Sequence, residues 1–445
     1  MVCGIGPTTL KIALLRSQLS APLFRTGYQS FVGSNQKNLP QKNFYLLTIA
    51  RSLVTIGNQS QAVAISWFVY SLTKDALSLG MVGLAEFLPA LLMAFYAGAL
   101  VDRKSRKMIY RNAVLLSAMV PIMLFFVIHN LRDHQGGNST VLFLIFASLG
   151  VSGIARAFLS PASAALTGEI IPRGKMVQAS AWMTSTWQAA IAIGPAVGGF
   201  IYASGGPQTV FIFSAVLQLL AVLLIQKIIP GEAALASGRK ESFVHGVKLA
   251  WKFMRAEPRL FGAVLLDMLA VFFGGAVALL PIFAERMGTG AIGLGVLRAA
   301  PAVGSLLLAA VLVKRPPRRR TGFWLLSSIS GFGLCMIMFA LSTNFYLSFA
   351  ALFLSGAFDA VSVVVRGTLL QLLTPDHIKG RISALNSIFI NSSNEFGSFE
   401  SGVTAKFMGP VVATVVGGVM TLLVVLAMAV KFPSLRTVSI QDIEK

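Results

Sequence analysis

Ionisable side chains interrupt stretches that are otherwise apolar: Arg51, Glu86, Arg156, Asp267, Arg298, Asp359, Arg366 and Glu395. Placing one such group at membrane depth costs about 2.5 to 3.5 kcal/mol, so a set of them demands mutual pairing or a wet cavity. The chemistry they offer is ion pairing and proton exchange. A carboxylate held by an arginine takes up or releases a proton when the pair is disturbed, which makes Asp267, Asp359 and Glu395 the candidate proton carriers. Asp267 and Arg366 fall at similar depth and are candidates to pair. Amides accompany the charges. Asn58, Gln59, Ser60 and Gln61 are consecutive, while Asn391, Asn394, Glu395 and Ser398 at i, i+3, i+4 and i+7 form one polar helical face. Gln188 stands near Trp182 and Trp187, and amides beside indoles suit an amphipathic organic molecule, or serve as hydrogen bonds between helices.

Other chemistry lacks its residues. Cys3 and Cys335 suggest no disulfide framework, and the 4 histidines are scattered without metal-ligand spacing. There is no paired His or Cys–His set for an enzyme and no G-x-x-x-x-G-K-[ST] loop for ATP, so the expectation is a non-enzyme with no cofactor, for which ATP is not the direct energy source.

The elements that must carry these groups are membrane spans. Of 445 residues, 55% are hydrophobic and 12% charged, about half the roughly 25% charged content of a soluble domain. About 20 apolar residues cross a bilayer, which predicts an all-α protein with spans near 46–70, 79–101, 108–129, 141–163, 176–202, 208–229, 260–284, 290–313, 322–342, 345–373, 380–406 and 410–431. The net charge of +21 would suit nucleic acid, yet Lys and Arg gather in alternate loops, as orientation in a membrane demands. That basic face is expected to be cytoplasmic, with both termini on it, and no nucleic-acid partner is implied. Residues 1–43 are basic and acid-free, a tail lying disordered or at the interface.

The chain repeats itself. Residues 172–184 align with 375–387 at an offset of 203, and the register continues to Gly194 and Gly397. A second window at an offset of 212 pairs Gly83 with Gly295, Pro89 with Pro301, and Glu86 with Arg298. Opposite charges at equivalent places make Glu86 and Arg298 candidates for a closing ion pair. Two pseudo-symmetric six-helix bundles follow, 44–229 and 259–431, joined by a loop at 230–258 and ending in a tail at 432–445. Such repeats suit alternating access about a site near the midplane.

Between spans 2 and 3 lies Gly98-Ala-Leu-Val-Asp102-Arg103-Lys-Ser-Arg106-Lys107, with a faded copy at Ala310, Lys314, Arg315, Arg318 and Arg319. It resembles the G-x-L-A-D-R-x-G-R-[RK] signature of the major facilitator superfamily, departing at Val101 and Ser105. Gly194-Pro195-Ala-Val-Gly198-Gly199 is similar to the antiporter motif of proton-coupled exporters, with Ala190 for its first glycine. Small residues there permit close helix packing, as does Gly98. The resemblance implies a twelve-helix monomer in a bacterial inner membrane, a charge latch at Asp102 favouring the outward-facing state, and a cavity lined by spans 1, 4, 7 and 10. The stretches Ala50 to Thr73 and Leu84 to Pro89 resemble the branch holding enterobactin exporters, macrolide exporters and the lysophospholipid transporter. The expected function is export of a small amphipathic molecule, siderophore or drug-like, in exchange for protons. A lysophospholipid flippase and a transport-inactive receptor are the alternatives.

Overall fold

The structure, a computed structural model, describes residues 38–130, 138–229, 243–317, 319–376 and 378–443. The first bundle contains α1 (Asn38–Thr73), α2 (Ala76–Arg103), α3 (Arg106–Asn130) and α4 (Asn138–Ile170). A continuous helical stretch, Met176–Gln226, completes it and breaks at Gly206, whose φ of 74° is left-handed. The break divides α5 (176–205) from α6 (207–226), which starts on Pro207, a residue suited to a helix's first turn. After α7 (Phe243–Ala256), the second bundle comprises α8 (Pro258–Gly274), the short α9 (Leu280–Arg286), α10 (Gly290–Lys314), α11 (Thr321–Leu341), α12 (Phe345–Leu373), α13 (Lys379–Met408) and α14 (Pro410–Lys431). Two small helices end the chain, α15 (Pro433–Thr437) and α16 (Ile440–Ile443).

Turn chemistry sets several boundaries. Asp75 accepts from the Ser78 N–H at 3.0 Å to start α2, and Asn344 accepts from the Tyr346 and Leu347 N–H groups to start α12. Gly409, with φ 82°, and Pro410 divide α13 from α14. Among the described residues, 9 helical stretches are long and apolar enough to cross a membrane, the stretch broken at Gly206 supplying two spans. The two remaining spans, α1 and α13, have 36 and 30 residues and miss that test. They are the two that carry the amide clusters.

Close helix contacts reproduce the repeat. Gly194 of α5 lies on the Ile56 backbone of α1, and Gly397 of α13 lies on the Phe272 backbone of α8. Gly153 of α4 faces the Glu86 carbonyl, as Gly356 of α12 faces that of Pro301. Gly199 meets Ala291 and Gly295 of α10, as Gly402 meets Ala76 and Gly80 of α2. The offset of 203 therefore holds for α4, α5 and their copies, but α2 and α10 match at 215 and not 212. This corrects the register by one helical turn: Arg298 is the counterpart of Gly83, and Glu86 that of Pro301. The sequence window slipped because a Gly recurs three residues apart in α2, so two registers each align glycines.

Two segments are more ordered than their sequences suggest. The loop expected at 230–258 contains α7, with Ala250 and Met254 buried. The expected tail at 432–445 folds back through α15 and α16 onto the start of α11, where the Gly322 N–H donates to the Val438 carbonyl and the Ile440 N–H to Thr321 Oγ1. Leu435, fully buried, belongs to the second bundle's core. Residues 1–37 lie outside the described part of the chain.

Candidate functional site

The two bundles meet at the face opposite the basic loops. Gly80 of α2 has the Phe399 carbonyl and Gly402 beside it, and Gly199 of α5 has Gly295 of α10. Eighteen residues are five helical turns, so Gly98 shares the face of Gly80 about 27 Å further along α2. At Gly98 a Cβ would meet nothing within 4 Å. On α10, Val313 lies eighteen residues past Gly295 and is 73% exposed. The helix pairs α2–α13 and α5–α10 thus touch near the far face and diverge toward the basic one. Between them is a cleft open to the basic face. Gly98 makes no close approach here, contrary to the packing role expected of it.

Four charges from four helices sit under this closure. Arg156 of α4 reaches Glu395 of α13 at 2.9 Å and Glu86 of α2 at 3.7 Å. Ser152, one turn before Arg156, donates to Glu86 at 2.9 Å. Arg298 of α10 lies within electrostatic reach of both carboxylates, yet no ion pair joins it to Glu86 among the described residues. The expected Glu86–Arg298 bridge is replaced by Arg156, which binds acids of both bundles. The register explains this, since Arg298 lies a turn nearer the far face than Glu86's true counterpart. Arg156 keeps 47% of its side chain exposed, and Asn391 and Asn394 are exposed on α13 below Glu395. Gln188 of α5 donates to Ser305 of α10 at 3.4 Å, a further link between bundles. Trp182 and Trp187 are exposed on the same stretch of α5.

Two of the α1 amides bond to neighbouring helices of their own bundle. Asn58 accepts from Gln218 of α6 at 2.9 Å and from Ser117 of α3 at 3.4 Å, and Gln61 accepts from Ser214 of α6 at 3.3 Å. Gln59 lies against Gly194. Asn58 and Gln61 thus hydrogen-bond α1 to α3 and α6 within the first bundle. Arg51, two turns before Asn58, faces the same way and lies within reach of buried Tyr110 of α3.

Asp267 of α8 and Arg366 of α12 form an ion pair with each side chain 5% exposed, and Ser362 donates to Asp267 at 2.8 Å. Asp359 shares with Asp267, Ser328, Phe332, Phe358 and Ser362 a cavity of about 10 Å³, room for a single water. The verified offsets show an inversion of charge between the halves. Arg156 corresponds to Asp359 at 203, and Arg51 to Asp267 at 216, the offset that relates Ile56 to Phe272.

The signature motif works inside the first bundle. Arg106 pairs with Glu169 at 3.0 Å, and Lys107 donates to the carbonyls of Gln226 and Ile228 at 2.8 and 2.6 Å, placing a cation at the C-terminus of α6. Arg103 is exposed, and the side chain of Asp102 lies outside the described part. Arg319 in the faded copy donates to Gln441 of α16 at 3.1 Å; Arg318 is not among the described residues. In the antiporter motif, Ser60 donates to the Gly194 carbonyl at 2.8 Å, Gly198 lies on Ser60, and the Pro195 carbonyl faces Gly295. The motif seats α5 on α1 and α10 together.

One closing contact was not expected. At the far face Glu285 of α9 pairs with Lys74 and accepts from the Tyr70 hydroxyl at 2.8 Å, tying α1 to the second bundle. Its only sequence signal is Tyr70 and Lys74 at i, i+4 opposite a loop acid. Ser152 and Ser362 were also missed, each four residues before an arginine and bonded to the acid that arginine pairs with.

Residues 34–444 match the transmembrane secretion effector family of major facilitator proteins. The chain is 26% identical over 382 residues to the enterobactin exporter EntS of Shigella boydii serotype 18, over 82% of this chain and 86% of that one. It has the same identity and coverage to EntS of Escherichia coli O1:K1. Its fold is similar to that of a D-xylose-proton symporter, with a TM-score of 0.70 at 15% identity over 89% of this chain and 99% of that one. A bacterial homologue of the human lysosomal transporter Spinster, inward-facing and unoccupied, is similar at a TM-score of 0.68 and 15% identity, over 91% and 97% of the two chains.

Proposed function

We propose, since the chain belongs to the transmembrane secretion effector family of the major facilitator superfamily, that it exports a siderophore-like aromatic molecule across a bacterial inner membrane in exchange for protons. It is an integral membrane transporter and not an enzyme. The direction and cargo are inferred. The basic face is taken as cytoplasmic, because lysine- and arginine-rich loops stay on that side. The cleft then faces the cytoplasm, where a cargo to be exported is collected.

The observation that carries this reading is the bridge from Arg156 to Glu395 and Glu86 at the head of the cleft. Arg156 is half-exposed to entering cargo, and its planar guanidinium suits the oxygens of a catecholate or carboxylate. Cargo that engages Arg156 competes with Glu395, the acid that ties it to the other bundle. Loss of that tie loosens the far-face closure. Glu395, left without its cation, takes a proton from the far side as the cleft opens there, and releases it to the basic side when cargo has left and Arg156 returns. One proton moves inward as one cargo moves outward. Asn391, Asn394, Trp182 and Trp187 supply polar and aromatic surface lower in the cleft. The Asp102 latch belongs to the opposite state, with the basic face closed.

The test is uptake of a catecholate siderophore into everted vesicles with and without a pH gradient. Wild-type uptake is expected to rise with the gradient, and Glu395→Gln to keep cargo binding while losing that dependence. Gradient-independent flux would remove proton coupling, and absence of flux for every cargo would favour a receptor. Flux of lysophospholipid alone would favour the flippase reading.

A further inference from the structure

α7 has a face that no described part of the chain covers. Ala250 and Met254 are buried against Leu260, Val264, Ile378 and Ile382 of the second bundle. On the other side Lys248, Trp251, Lys252 and Arg255 are exposed, and at helical spacing they share an arc of about 100°. None of these three cations has an acid partner among the described residues, since nearby Glu257 pairs with Arg259 at 3.3 Å.

The depth of this stripe is set by aromatic contacts. The Trp251 ring lies 5.9 Å from Phe261 and 5.9 Å from Phe389. Phe261 is in the first turn of α8, and Phe389 is ten residues into α13, about 15 Å from its basic-face end. Trp251 is therefore at the level where spans enter the bilayer, and it remains 38% exposed. Only Glu257, extended at φ −106° and ψ 95°, separates α7 from the span α8. The chain turns there, so α7 does not continue the span but is a separate helix beside its basic-face end. An interfacial helix with tryptophan and unpaired lysine and arginine on one stripe matches the headgroup region of an anionic bilayer.

We infer that α7 binds anionic phospholipid headgroups of the basic-face leaflet through Lys248, Lys252 and Arg255, with Trp251 at the headgroup level. α7 packs on α8 and α13 and so moves with the second bundle. The lipids tether that bundle through α7, giving the other bundle a base to rock against.

A variant keeping Trp251 as its only tryptophan would be reconstituted in mixed phosphatidylglycerol and phosphatidylcholine vesicles, with bromine on one lipid at a time. Brominated phosphatidylglycerol is expected to quench Trp251 more strongly than brominated phosphatidylcholine. That preference should weaken with salt and fall roughly fivefold for each basic residue changed to Gln. Equal quenching by both lipids would overturn the inference. So would quenching mainly by aqueous iodide, which would place the stripe in water facing a soluble partner. Should the single-tryptophan protein not fold, mass spectrometry of co-purified lipid comes next, comparing the natural chain with Lys248→Gln/Lys252→Gln/Arg255→Gln. Depletion of phosphatidylglycerol in the triple variant supports the inference, and unchanged lipid content overturns it.

Discussion

Two arginines define the polar chemistry of this protein, and their surroundings assign them different work. Arg366 and Asp267 are almost fully buried and join two helices of one bundle, so their pair belongs to the structure of that bundle. Removing one partner of a buried pair strands the other charge, typically at 3–5 kcal/mol. Asp267→Ala should therefore destabilise the protein by about that much, seen as a large fall in thermal midpoint in detergent. Loss of transport with an unchanged midpoint would instead give Asp267 a direct part in transport. Arg156 is half-exposed and its acids lie on different bundles, so its partners can separate when the bundles move. Similar depth along the sequence pointed to the Asp267–Arg366 pair, which forms, but not to the partners of Arg156, because residues 239 apart meet only through packing.

At the scale of elements, glycines decide where helices touch. A Cβ on Gly199 would come within 2.4 Å of the Ala291 carbonyl across the far-face closure, whereas one on Gly98 meets open space. Opposite effects follow for one kind of change. Gly199→Ala is expected to weaken the closed far face and raise labelling of cysteines placed at the head of the cleft from that side. Gly98→Leu is expected to be tolerated in the conformation seen here and to hinder closure at the basic face, lowering that labelling. Identical labelling in both variants would contradict a cleft that alternates between faces. The antiporter-like and loop motifs were legible as patterns of small and charged residues. Their contacts were not, since the same glycine packs tightly or stands free according to how the bundles are tilted.

Across the whole molecule, the segments just before and just after the second bundle, whose sequences look like loop and tail, pack onto it at the basic face. Leu435 is fully buried and the strand of chain around it is hydrogen-bonded to the start of α11. Truncating a buried leucine costs about 2–5 kcal/mol, so Leu435→Ala should lower stability by that order, and deletion of 433–443 should leave the second bundle prone to proteolysis. A deletion as stable and active as the full chain would show that the segment is dispensable. The span count, the basic face, the duplication and the family motifs were all legible in the sequence, because apolar length, charge asymmetry and recurring spacing are properties of residues along the chain. The choice of Arg156 as the partner of Glu86 and Glu395, the one-turn correction between α2 and α10, and the side on which the cleft opens came only with tertiary structure. Those depend on how helices seat against one another, and a shift of a single turn moves a side chain about 5 Å with no change in the pattern from which it was read.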